Sequence, residues 1–132
     1  MSDAADREIA DLNMSLAADG EWITIRRLFG TQLVPVNVTC RAFVRPIGNE
    51  ELQAGIVQES SNIILSPSEI IAAGWPGPWT PSAAEPVNPG TDRRVPRKGD
   101  KAVVKSRVRN IEVAKPIYVD DELVRIELRV LG

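Results

Sequence analysis

The segment from Gly74 to Arg97, GWPGPWTPSAAEPVNPGTDRRVPR, sets the strongest limit on what this chain can fold into. It holds six of the ten prolines and two of the three tryptophans, and it ends in Arg93, Arg94 and Arg97. Proline has no backbone donor, so neither a helix interior nor a central strand can run through it. The remaining sequence is therefore divided into a larger block before the segment and a smaller one after it. A loop this long is uncommon in a compact domain without a use. Trp75 and Trp79 would leave large apolar surfaces in water, so the segment reads as an arm that packs against a neighbour. Trp75 is expected at the base of the arm within its own domain, and Trp79 against another subunit.

The chain has 132 residues, enough for one domain with a real core and too few for two. Its domain plan is a helix over 1–19, a β core from 20–73 and 98–132, and the arm over 74–97. Aromatic residues make up only 5%, so the core must be built mainly from Val, Ile and Leu. Histidine is absent, which removes the commonest general base and the commonest metal ligand together. The single Cys40 cannot form an internal disulfide and has no evident activator, so it reads as a buried structural thiol. Asp120, Asp121 and Glu122 read as hairpin-turn residues rather than a metal or acid/base cluster. No Gly-rich phosphate cradle and no CxxC pair occurs. The expectation is a protein that is not an enzyme and takes no metal or cofactor. No run approaches the roughly 20 apolar residues of a membrane span, and the acidic start does not resemble a signal peptide.

From Asp3 to Ala18 the apolar residues Ala5, Ile9, Leu12 and Leu16 recur at helical spacing, and Asp19-Gly20 supplies a stop. The period then changes to alternation. Ile23 and Ile25 oppose Trp22, Thr24 and Arg26, and Val38, Cys40, Ala42 and Val44 oppose Thr39, Arg41, Phe43 and Arg45. Pro46 and Gly48-Asn49 predict a turn, Leu52–Glu59 a weak strand and Asn62–Leu65 a short buried one. Ser66-Pro67-Ser68-Glu69 is a helix start, with serine at the cap and proline at the first helical position. Strands follow at Lys101–Lys105, Val108–Ala114, Ile117–Val119 and Leu123–Val130, the last pair joined at Asp120-Asp121. The predicted fold is mainly β, a small antiparallel barrel or sandwich with a short N-terminal helix, one short internal helix and a long proline-rich loop.

Charge placement is more informative than the net charge of −2. Arg93, Arg94, Arg97, Lys98, Lys101, Lys105, Arg107 and Arg109 are half of all basic residues, and Asp100 is the one acid among them. Met1 to Glu21 carries six acids against Arg7 alone. The basic run is either a solvated edge that guards a sheet or a contact for phosphate or an acidic neighbour. Opposite charge at the two ends of one chain suits head-to-tail contacts in a ring.

In order and content, WITIRRLFGTQLVPVNVTCRAFVR, NIILSPSEIIAAGWPGPW, PRKGDKAVVKSRVRNIEVAKPI and the closing VRIELRVLG resemble the small head–tail connector (stopper or head-completion) proteins of long-tailed bacteriophages. The resemblance spans nearly the whole chain. It implies a virion protein, made in the host cytoplasm, that forms a ring between the portal-side adaptor and the tail terminator. The ring would be a hexamer, with a dodecamer as the alternative, and would close the DNA-filled head and dock the tail. Candidate channel loops are Gly74–Pro96 and Pro46–Ala54. Trp75, Trp79, Arg93, Arg94 and Arg97 are the candidate interface residues. Lys98, Lys101, Lys105, Arg107 and Arg109 would face the packaged DNA end or an acidic patch on an adjacent ring. The competing readings are a tail-completion or minor tail adaptor protein and a small nucleic-acid-binding barrel.

Overall fold

The computed structural model describes residues 3–29, 32–51, 57–75 and 94–131. Helix α1 (Asp3–Asp19) leads into strands β1 (Glu21–Phe29), β2 (Val34–Glu51) and β3 (Val57–Leu65), then helix α2 (Ser68–Ala73). Strands β4 (Lys101–Val104), β5 (Arg107–Val119) and β6 (Glu122–Leu131) complete the chain. Among the described residues the strands close into an antiparallel barrel in the order β1-β2-β3-β6-β5-β4. Closure removes the open edges that a sandwich of this size would expose.

Alternation decides which face each strand buries. Ile23 and Ile25 of β1, Val38, Cys40 and Ala42 of β2, and Ile63 and Leu65 of β3 point into the core, as do Ile126, Leu128 and Val130 of β6. In this narrow barrel these side chains fill the interior, leaving a packed core rather than a channel. Helix α1 buries Ala5 and Leu16 against the barrel, while Ile9 and Leu12 are half-buried. Gly20 is required at the helix–strand junction: a Cβ there would lie 2.5 Å from the Leu16 carbonyl oxygen.

Two prolines expected to break strands do not. Pro46 marks no turn; β2 continues to Glu51 through a register shift between Pro46 and Gly48. Residues 46–51 are thus paired with β3 rather than forming a loop, and 52–56 lie outside the described residues. The two short strands expected at 52–59 and 62–65 are one strand, β3, where described. Likewise β5 runs unbroken through Pro116, with a register shift at Ile117/Tyr118 beside it. Bulges are where a sheet tolerates a residue that cannot donate to the ladder.

Two hairpins are tight. Lys105-Ser106 joins β4 to β5 with φ of 51° and 65°, so Lys105 belongs to the turn rather than the strand. Asp120-Asp121 joins β5 to β6 with φ of 49° and 63°, the left-handed pair expected of a two-residue hairpin loop. At α2, the Ser66 hydroxyl accepts the Ser68 backbone N–H at 3.2 Å, and Pro67 already has helical angles.

Candidate functional site

The most distinctive local construction stands where the proline-rich segment leaves and rejoins the barrel. Helix α2 ends at Gly74, left-handed at φ 66°. The Gly74 N–H donates to Ile71 O and the Trp75 N–H to Ile70 O, both at 3.1 Å, the paired bonds of a Schellman stop. This stop turns Trp75 back into the core, where it is 3% exposed and its Nε1–H donates to Val36 O at 3.0 Å.

Arg27 lies against the same indole, its Cζ 4.6 Å from the ring centroid. Alternation along β1 places Arg27 on the inner face with Ile23 and Ile25, and it is 2% exposed. A buried guanidinium needs a counter-charge and filled donors. Asp100 supplies the charge: Arg27 Nη2 donates to Asp100 Oδ2 at 2.8 Å, and Nε reaches both carboxylate oxygens. Arg27 Nη2 also donates to Val95 O at 3.1 Å. Asp100 in turn accepts the Arg97 backbone N–H at 3.0 Å and ties back to β5 through Ile111 N–H to Asp100 O. One arginine thereby fastens the outgoing foot at Trp75 and the returning foot at Val95–Asp100 to the same spot.

Trp75 is accordingly internal, as its position at the base of the arm predicts, and its assignment to a subunit interface is corrected: its ring and its N–H are both engaged within its own chain. Trp79 and Arg93 lie outside the described residues. Arg94 is half-buried, and Arg97 and Lys98 are exposed on the turn before β4.

The basic run does not form one patch. Arg97, Lys98 and Lys101 stand at the barrel end reached by the β1–β2 hairpin, since Arg26 pairs with Lys101. Lys101 Nζ donates to Asn110 Oδ1 across the β4–β5 ladder. Lys105 and Arg107, both exposed, stand at the other end of β4. Arg109 pairs with buried Ala102 and so shares its inward face; it is half-buried and donates to Ser61 Oγ at 3.2 Å. Asp100, the only acid of the run, is buried and matched by Arg27, so every exposed charge between 94 and 109 is positive.

Cys40 is fully buried, and its thiol is pushed up to about 12, chiefly by burial and further by the Glu69 charge. That is the inert, structural thiol its strand position predicts. Among the described residues no group of three or more acids and cysteines is placed to hold a metal. No described helix is long and apolar enough to cross a membrane.

Sequence reasoning grouped Trp22, Thr24 and Arg26 on one face of β1 but did not extend the opposite face to Arg27. The signal was there: the same alternation puts Arg27 inside, and the lone acid in a basic run is its natural partner. No protein-family model matches this chain, and no curated protein or solved structure is significantly similar to it.

Proposed function

We propose that this chain is a structural virion subunit that forms a ring at the head–tail junction of a long-tailed phage or phage-like particle. In this reading it closes the DNA-filled head and offers the tail its docking surface. Its partners are copies of itself, in a hexamer or a dodecamer, together with the portal-side adaptor and the tail terminator. The observation that carries the reading is the Arg27–Asp100–Trp75 lock. A buried ion pair is an expensive way to stabilise a fold, but it fixes geometry. Here it fixes the point from which the 76–93 segment departs and to which it returns. A segment with anchored ends loses less freedom when it meets a neighbouring chain, which favours assembly. The exposed Arg97 and Lys98 before β4, and Lys105 and Arg107 after it, add two separate cationic groups for an acidic neighbour or the packaged DNA end.

Particle reconstruction tests the reading directly. Trp79 is expected within van der Waals contact of another polypeptide, and Trp79→Ala is expected to yield filled heads without tails while the isolated chain keeps its melting temperature. A segment that touches only its own barrel, with normal tailed particles from the variant, would overturn it. The neighbours seen in the same map separate a head-completion ring from a tail-completion or minor tail adaptor.

The uniformly positive exposed charge of 94–109 also favours, as a second reading, a nucleic-acid-binding barrel. That reading requires binding to free DNA that falls steeply with salt, in proportion to the phosphates contacted. Salt-indifferent or absent binding removes it.

A further inference from the structure

Helix α1 packs chiefly on β6, β2 and β5, and α2 on β2, which leaves the wall along β1 and β4 open among the described residues. Ile23, Ile25, Ala102 and Val104 take the inward positions of these two strands, so their neighbours face out. The pairing registers lay out what this wall presents. One row reads Asn37, Arg26, Lys101 and Asn110 across β2, β1, β4 and β5. The next outward row reads Thr39, Thr24, Val103 and Val108. Trp22 and Arg41 follow as a pair on β1 and β2, and Lys105 stands in the turn just past β4.

Two features of this wall point to a ligand. Arg26 and Lys101 lie directly opposite each other on one face, and like charges so placed repel. Their hydrogen bonds go to neutral groups: Arg26 Nε donates to Asn37 Oδ1 at 3.0 Å and Lys101 Nζ to Asn110 Oδ1. Neither forms an ion pair among the described residues, and neither row contains an acid. An arriving anion would relieve that repulsion. The second feature is Trp22, which is 59% exposed while the Arg41 guanidinium lies over its ring at 5.2 Å. Trp22 is four residues from Arg26 along one strand, a span of ~13 Å. An oriented indole beside a line of cations is the construction that holds a phosphate backbone and stacks its bases. An acidic peptide would use the cations and leave the ring idle. A duplex keeps its bases paired, so only a single strand offers a free base to the indole.

We infer that the β1–β4 wall binds single-stranded nucleic acid, with one base stacked on Trp22 and neighbouring phosphates on Arg26 and Lys101. Exposed Lys98 and Lys105, before and after β4, extend the cationic track at its two ends. The inference rests on the nucleic-acid-binding reading and names the surface and the form of the ligand.

The test is fluorescence anisotropy of a labelled oligothymidylate of about a dozen nucleotides with the full chain; thermal unfolding establishes that each variant folds. Trp22→Ala is expected to weaken binding about tenfold with the salt dependence unchanged, and Trp22→Phe, which keeps a ring, to recover most of that loss. Arg26→Ala with Lys101→Ala is expected to weaken it at least about tenfold and to flatten the slope of log affinity against log salt by about 1.4, two phosphates' worth. Lys115→Ala, on β5 outside this wall, should bind as the wild type does. Full affinity in Trp22→Ala, or an unchanged slope in the double variant, overturns the inference and leaves the nucleic-acid-binding reading to other cations. Tighter binding of a duplex, or equal competition by polyglutamate, overturns it as well. A wild-type chain that binds no oligonucleotide removes the nucleic-acid-binding reading along with it.

Discussion

Arg27 and Arg41 each lie over a tryptophan and each fasten a segment from outside the barrel to its wall, but they do so by different physics. Arg27 is sealed in the core and needs the full charge of Asp100, with the Trp75 ring against its other face. Arg41 is half-buried, its guanidinium 5.2 Å from the Trp22 ring and bonded to backbone carbonyls rather than to an acid among the described residues. Its donors go to backbone carbonyls at the end of α1, with Nε to Leu16 O at 2.9 Å and Nη2 to Gly20 O at 2.7 Å and Ala17 O at 3.4 Å. Helix α1 has no basic residue in its last turn, so Arg41 of β2 supplies the cation that the negative end of the helix attracts. The difference teaches how much anchoring each segment receives. The feet of the proline-rich segment are held by a pair that water cannot screen, whereas α1 is held by a dipole contact partly open to solvent.

The comparison breaks most visibly at the buried pair. Asp100→Ala strands Arg27 in the core and should lower stability by about 3–5 kcal/mol, while Arg27→Met combined with Asp100→Leu should recover most of that loss. Urea unfolding midpoints measure both, and a single-variant loss under about 1 kcal/mol would show that the pair is not sealed. Next in size is the junction of α1. Gly20→Ala pushes a methyl group into the Leu16 carbonyl and is expected to cost about 1–3 kcal/mol as the helix shifts. Arg41→Met should cost about 1–2 kcal/mol, visible as faster hydrogen exchange in the last turn of α1 with little change in the barrel strands. A global loss equal to that of Asp100→Ala would erase the distinction between the two arginines.

The smallest effect concerns Glu69, an acid that feels the Arg41 charge. Burial pushes the Glu69 carboxyl above its ordinary value of 4.5, although the backbone amides of Arg41 and Glu69 and the Arg41 charge pull it down. The folded chain therefore holds this proton more tightly than the unfolded chain. Glu69 should make stability fall as pH rises from 4.5 through its raised folded value, and Glu69→Gln should flatten that slope. Melting temperatures across pH 4 to 7 for the two proteins, compared at equal ionic strength, decide it. An identical slope in both would show that Glu69 ionises as freely folded as unfolded.

Much of this architecture is legible in the residues. The 3.6-residue spacing of Ala5, Ile9, Leu12 and Leu16, the alternation through Ile23–Ile25 and Val38–Ala42, and the turn at Asp120-Asp121 all reappear as elements of the barrel. Strand lengths were harder to read, because Pro46 and Pro116 look like breakers in isolation. Only the neighbouring ladder reveals that a bulge beside each absorbs the missing donor. The lock at the foot of the arm was harder still. An arginine at an inward position looks like an error in the pattern until the acid 73 residues away is seen to share its pocket. The split of the basic run follows from β4 lying between its two groups, with Arg97 and Lys98 before the strand and Lys105 and Arg107 after it.

The filled interior has a consequence for any ring these subunits build. Ile25, Ile63, Ile126 and their neighbours leave no bore along the barrel axis, so a thread of nucleic acid could not pass through a subunit. Its route would have to run among the subunits, past the outward faces of the strands and whatever those faces carry. The width of that passage would then be set by how many copies meet and at what tilt, and a change in copy number would widen or narrow it without altering a single residue of the fold.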